Sequence, residues 1–395
     1  MPVHSPVQTI ETRGCRVVLR RVEGPEAREV FLLGEPPAGA DAGGQAEAIH
    51  RAIEDVLRAE GGGLGSVVSE TCFLRDPRAD LEAVRQARRR ALGASSHRPA
   101  ITEIAQPPLD GAALKVAVQA VVPREPPLRV DDVGGGSGCG CAECAHPHAL
   151  RVRLGDEVRL HAGGLYGAGA DAYEQTLAMF EVAEGLLAQA GMDFRHVVRT
   201  WIHLREMDRD YADLNRARRA FYAERGIDPA PASTGIGGGP VPGPHDLCLG
   251  FQAVGGASPP ARTAMSAPTL NEAPQYGADF VRGMRVEGAN GVALHVSGTA
   301  SVDESGSTAH PGDFDAQAER MLVNVAALLE GQGAGFGDVV SAVTYLKRPA
   351  DASRLRQKLS EAGFEGFPNA LVEAPICRPD LLCETEVLAV LPSPA

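Results

Sequence analysis

Three segments of the chain follow one pattern, and that repetition limits the fold more than any other feature. LGSVVSETCFLRDPRAD (64–80), FRHVVRTWIHLREMDRD (194–210) and FGDVVSAVTYLKRPADA (336–352) align with one another. Each carries a Val-Val pair, a leucine seven residues after its first valine, and then a basic residue. Val67, Val197 and Val339 correspond, as do Leu74, Leu204 and Leu346. An amphipathic helix precedes each copy: AEAIHRAIEDVLRAE (46–60), YEQTLAMFEVAEGLLAQAG (173–191) and AQAERMLVNVAALLEGQG (316–333). Their apolar residues recur at the one-faced helical spacing. A second helix follows each copy. Each repeat then closes on a strand: ALKVAVQAVV (113–122), LCLGFQAV (247–254) or LCETEVLAV (382–390).

The expected fold is therefore α+β, with three tandem units of the form β–(β)–α–β–α–β–β packed as a pseudo-trimer. A unit of this size can bury its own core, and ligand clefts are expected where units meet. The expected bounds are 1–128 for a degenerate first unit, 129–149 for a Gly/Cys-rich linker, 150–258 for the second unit and 259–395 for the third.

A net charge of −13 argues against binding to nucleic acid or to anionic membranes. An anionic substrate would need locally placed arginines. No apolar run is long enough to span a bilayer, and the first residues lack an apolar signal core. Eight scattered cysteines suit a reducing compartment, so a cytoplasmic location is expected. The stretch GCGCAECAHPH places Cys139, Cys141, Cys144 and His146 at spacings that suit zinc. It lacks a matched second Cys pair, so it is a weak zinc candidate, and a bound zinc is expected to clip the loop rather than catalyse. No phosphate-loop motif occurs in a suitable context.

The stretch ICRPDLLCETE (376–386) raises the sharpest question about function. Strand alternation puts Glu384 and Glu386 on one face and Cys383 and Thr385 on the other. Alignment of the final strands sets Glu384 against Cys248 in the second repeat and Lys115 in the first, so only the third copy carries a carboxyl there. That face is either solvated or it lines a cleft. In a cleft, burial would raise the pKa of Glu384 and suit it to hold a proton near neutrality.

The repeat resembles the reactive-intermediate deaminase (RidA/YjgF) family, whose members are usually trimers with ligand sites between subunits. Seven motifs in order resemble, more narrowly, the chorismatases: RTWIHL (199–204), YADLNRARRAFY (211–222), PASTGIGGG (231–239), YGADFVRG (276–283), SGTAS (297–301), HPGDFDAQ (310–317) and ICRPDLLCETE. The resemblance implies cleavage of chorismate to pyruvate and either a hydroxybenzoate or a cyclic diene diol, with no cofactor. It also implies Glu384 as the acid, and Cys377 as the group that favours 3-hydroxybenzoate. The two substrate carboxylates would meet arginines: Arg378 and Arg282 first, then Arg218, with Arg219 and Arg199 as further candidates. Tyr211, Tyr276, Phe280, Gly298 and Ala300 would line the pocket, and His310 would orient it or cap its loop. The rival readings are an enamine/imine deaminase and a non-catalytic ligand-binding protein. A chain with three units of its own is expected to be a monomer.

Overall fold

The computed structural model describes residues 5–93, 97–134, 147–240, 243–272 and 279–393. The first unit comprises β1 (Gln8–Thr12), β2 (Cys15–Glu23), β3 (Ala27–Glu35), α1 (Ala42–Ala59), β4 (Val67–Leu74), α2 (Pro77–Leu92), β5 (Ala100–Ala105) and β6 (Leu114–Pro123). The second comprises β7 (Arg129–Gly134), β8 (His148–Leu154), β9 (Glu157–Leu165), α3 (Ala172–Gln189), β10 (Val197–Leu204), α4 (Met207–Arg225), β11 (Ala232–Gly237), β12 (Gly239–Pro240) and β13 (Leu247–Gly256). The third comprises β14 (Arg262–Met265), β15 (Gly283–Gly288), β16 (Gly291–Ala300), α5 (Phe314–Glu330), β17 (Val339–Leu346), α6 (Ala352–Glu361), β18 (Asn369–Glu373) and β19 (Cys383–Leu391).

The same local chemistry starts the first helix of each unit. Asp41, Asp171 and Asp313 accept the backbone N–H of Gly44, Glu174 and Ala316 and so cap α1, α3 and α5. Each cap lies just before the apolar stripe of its helix, and that stripe packs on its own sheet. The sheet order repeats as well. The unit's last strand sits between the strand before the first helix and the strand after it: β3-β6-β4, β9-β13-β10 and β16-β19-β17. The pairings align the copies residue by residue. Phe73 faces Lys115, His203 faces Cys248, and Tyr345 faces Glu384.

Two features depart from the sequence reading. Residues 129–134, assigned to the linker, form β7, which pairs antiparallel with β8. The physical reason is apolar burial: Val133 lies in the core, and Leu128 and Val130 pack against Val68, Val121, Leu150 and Val152. The short β12 belongs to the second unit by position but pairs with β5 of the first. The candidate zinc ligands Cys139, Cys141, Cys144 and His146 lie outside the described residues. Among the described residues, no His, Cys, Asp or Glu cluster is suited to hold a metal, and no helix is long and apolar enough to cross a membrane.

Each pair of units has its own small apolar seam. Ala27, Val68 and Val121 meet Leu150, Val152 and Leu154. Val198, Ala232 and Val254 meet Met284 and Val286. Val22 and Phe31 meet Val340 and Val390. The three sheets enclose a central chamber of about 150 Å³ between them.

The first unit carries a buried charge cluster on its helical side. Arg88 of α2 donates to Glu70 Oε1 at 2.7 Å and to Glu103 Oε1 at 2.8 Å. Burial raises the Glu70 pKa, but Arg88 and His50 more than offset this and hold it at about 2. Such a group stabilises the fold above the unfolded carboxyl pKa and loses that contribution as pH falls towards 2. Arg88→Ala leaves two buried carboxylates without their shared cation. It is expected to destabilise the protein by about 3–5 kcal/mol, read as a lower urea midpoint at pH 7. The difference from wild type should shrink as pH drops below about 4.

Candidate active site

The second and third units meet along a cleft that holds a cavity of about 210 Å³. That is a small volume for a ligand site and suits a compact molecule. One wall comes from α4 and β11, the other from β16, β19 and the loop before β19.

Tyr211, Asn215 and Arg218 reach the cavity from α4. Their spacing of four and three residues keeps them on one helical face. Ser233 and Gly235 alternate along β11 and present the same side of that strand. Arg218 donates to Asn215 Oδ1 at 2.6 Å and to Ser233 Oγ at 3.3 Å, while its buried Nε finds no partner among the described residues. Its guanidinium lies 5.4 Å from the Phe280 ring centroid, and that of Arg282 lies 5.8 Å from it. Arg282 is anchored by Asn271, whose carbonyl and side-chain oxygens accept at 2.7 and 2.9 Å. Arg378 donates to the Gly306 carbonyl at 2.7 Å. Among the described residues the charged lining is thus three guanidiniums and one carboxyl, Glu384. In a chain of net charge −13 this is a locally cationic pocket.

Glu384 stands on the central strand of its sheet, between Ala300 and Tyr345, and is only 4% exposed. Room for its carboxyl comes from a bulge in β16, where Ser297 and Gly298 together face Glu386. A Cβ on Gly298 would fall 2.1 Å from Glu384 Oε1, so only glycine fits there without moving the acid. The second unit has a matching irregularity at Gly163 and Gly164, whereas β3 and β6 of the first unit pair without one. Burial, and then the charge of Glu386, raise the Glu384 pKa to about 8 against the opposing pull of Arg199 and Arg282. The carboxyl therefore holds its proton at neutral pH.

Cys377 faces the same cavity and shares a hydrogen bond with Tyr211. Burial, with Glu384 beside it, pushes its thiol up to about 12. At neutral pH it is therefore a thiol and not a thiolate.

Of the site residues singled out in the sequence, Glu384, Cys377, Arg378, Arg282, Phe280, Gly298, Ala300, Arg218 and Tyr211 all line this cavity. Tyr276 lies outside the described residues. Arg199 does not reach the cavity; it points into the central chamber and pairs with Glu386. Arg219 is half exposed and pairs with Asp279. His310 caps the loop before α5, where its carbonyl accepts from Gln317. Asn215, Ser233, Gly235, Val302 and Leu381 complete the lining and were not singled out. The helical and strand periods around Arg218 and PASTGIGGG could have found the first three; nothing in the sequence marks the last two.

The equivalent position in each of the other two copies is closed. Lys115 pairs with Glu35 and Asp110 at 2.7 and 2.8 Å. Cys248 is fully buried in the apolar core of the first unit. The high thiol pKa of Cys377 has a direct consequence. Alkylation by iodoacetamide at pH 7.5, followed by peptide mapping, should label Cys377 at least about tenfold more slowly than a free thiol of ordinary pKa.

Residues 270–391 match the endoribonuclease L-PSP family. A RutC family protein from Pyrococcus abyssi is 32% identical over 97 residues, which span 24% of this chain and 76% of that protein. A chorismatase from Streptomyces rapamycinicus is 29% identical over 258 residues, covering 58% of this chain and 72% of its own. A 3-hydroxybenzoate synthase from Streptomyces hygroscopicus is 28% identical over 244 residues, covering 54% and 68%. A crystal structure of a chorismatase superposes with a TM-score of 0.63 at 19% identity, over 92% of this chain and 99% of that one. At that identity the superposition speaks for the fold, and it extends the likeness to nearly the whole chain. The chain belongs to the RutC family, and over more than half of its length it is similar to a chorismatase.

Proposed function

We propose that the chain is an enzyme that cleaves chorismate to pyruvate and 3-hydroxybenzoate in the cleft between its second and third units. One observation carries this reading: a buried carboxyl that keeps its proton near neutrality shares a small cavity with three guanidiniums. Chorismate presents two carboxylates and an enol ether. Arg218, Arg282 and Arg378 would bind the carboxylates, and Phe280 with Ala300 would bound the ring.

Glu384 would then give its proton to the methylene carbon of the enolpyruvyl group. The ether-bearing carbon becomes oxocarbenium-like, and the bond from the ether oxygen to the ring weakens. The neighbouring ring hydroxyl oxygen attacks the ring carbon as pyruvate departs. Its proton returns to Glu384, which restores the acid. The resulting epoxide opens to the aromatic product beside the neutral Cys377 thiol. Chorismate supplies every atom of pyruvate and hydroxybenzoate, so this route consumes no water. The names and likeness of the chorismatase and 3-hydroxybenzoate synthase relatives support the substrate and the product.

The test is incubation of purified protein with chorismate, with products separated by chromatography and identified by NMR. Pyruvate and 3-hydroxybenzoate in equal amounts are expected; decay no faster than the spontaneous reaction contradicts the reading. Glu384→Gln should lower kcat by roughly 10²–10⁴ with an unchanged fold. Cys377→Ala should move the product towards the diene diol while leaving pyruvate release in place.

The pH dependence follows from the protonated acid. Because its folded pKa is raised, the active form persists below about pH 8 and is lost as pH rises through that value. A plot of kcat/KM against pH should fall tenfold per unit on the alkaline side. A limb near pH 4–5 would contradict a buried, protonated Glu384.

A further inference from the structure

Glu386 follows Glu384 by two residues on β19, so both side chains leave the same face of the sheet. From there they diverge. Glu384 enters the cleft, whereas Glu386 enters the central chamber. In the chamber Arg199 of the second unit donates to Glu386 Oε2 at 2.8 Å, and Trp201 Nε1 donates to Oε1 at 2.8 Å. Arg199 is 2% exposed and Glu386 is 8% exposed.

The ion pair is tied to the floor of the cleft. The same Arg199 nitrogen donates to Thr234 Oγ1 at 2.5 Å. Thr234 Oγ1 in turn accepts the backbone N–H of Gly298 at 3.0 Å. Gly298 is the residue whose missing side chain makes room for the Glu384 carboxyl. A hydrogen-bonded chain of Glu386, Arg199, Thr234 and Gly298 therefore crosses the unit boundary and ends under the acid.

Neither member of the pair has a counterpart in the other repeats. Strand pairings place Ser69 and Ser341 where Arg199 stands, and Ala117 and Gly250 where Glu386 stands. The pair occurs only beside the copy that carries Glu384.

Resting on the reading of Glu384 as the acid, we propose that Arg199 and Glu386 are a positioning pair for it. They fix the Gly298 backbone beneath its carboxyl and hold a negative charge two residues along the same strand face. The other charged or titratable groups around Glu384 are Arg282 before β15, Tyr345 on β17, Cys377 and Arg378 before β19, Cys383 on β19, and Tyr211 and Arg218 on α4. His161, His203, His295 and Tyr345 share the chamber with Glu386, while the Glu70 carboxyl lies on the far face of β4 with Arg88 and His50. Burial holds His161 and His295 down at about 3 and His203 at about 4, so all three are neutral at the working pH. Of these groups, the Glu386 charge is the one that adds to burial in keeping the proton on Glu384.

Glu386→Gln removes the charge and keeps the shape. The alkaline limb of kcat/KM should move to lower pH by on the order of one unit. The ionisation of Glu384 can be followed without substrate by isotope-edited infrared spectroscopy, with Glu384→Gln identifying its carboxyl band. That midpoint should move by the same amount and in the same direction. A midpoint that stays in place overturns the pair's electrostatic role, whatever happens to the rate. A moved midpoint in a protein that does not turn over chorismate would support the pair and contradict the substrate reading. Thr234→Val tests the other half should Glu386→Gln fail to fold, because Thr234 does not line the cavity. It should lower kcat about tenfold with KM within about twofold, and Thr234→Ser should restore it. An unchanged kcat in Thr234→Val overturns the seating role.

Discussion

Placing a carboxyl on the covered face of a central strand is costly unless the group keeps its proton or meets a cation. In this molecule Glu384 keeps its proton, while its neighbour Glu386 meets a cation. Much of the local structure follows from that division. The bulge in β16 and the bare Gly298 give the neutral carboxyl its space. The Arg199 guanidinium crosses the unit boundary to hold the charged one. The two groups lie two residues apart, yet one faces the cleft between the second and third units and the other the chamber between the three sheets.

Threefold repetition explains why such an arrangement could arise once in a chain that contains its frame three times. The frame is the sheet order, the aspartate-capped helix and the three apolar seams between units. Within it, equivalent positions are free to differ. Lys115 takes the place of Glu384 in the first unit and is consumed by Glu35 and Asp110. Cys248 takes it in the second and packs into the neighbouring core. The stability of the frame is spread over three cores, which leaves room for one polar interface between the second and third units.

The fold was legible because it was written three times. Periodicity gave the helices, and alignment of the final strands gave the equivalence of Glu384, Cys248 and Lys115 that the strand pairings bear out. The cleft was legible in part. Residues in distinctive motifs, such as Arg218, Arg282 and Cys377, are brought together across some 160 residues of sequence. Asn215, Ser233 and Gly235 follow from the same motifs once their helical and strand periods are counted. Leu381 and Val302 do not, because an apolar residue at the edge of a cavity looks like any core residue. Arg199 was misplaced for a related reason: the sequence shows an arginine at a strand start, but only packing shows which side of the sheet it serves. The strand β7 was hidden in a glycine-rich context, and only the burial of Val133 and its neighbours accounts for it.

A crystal structure of the Glu384→Gln protein with chorismate tests the central claim most directly. The account predicts intact chorismate in the cleft between the second and third units. Its carboxylates should lie against two of Arg218, Arg282 and Arg378, and its enolpyruvyl methylene within hydrogen-bond reach of residue 384. Chorismate in the central chamber or in either of the other inter-unit clefts would contradict it, as would a bound pose that turns the methylene away from Gln at position 384.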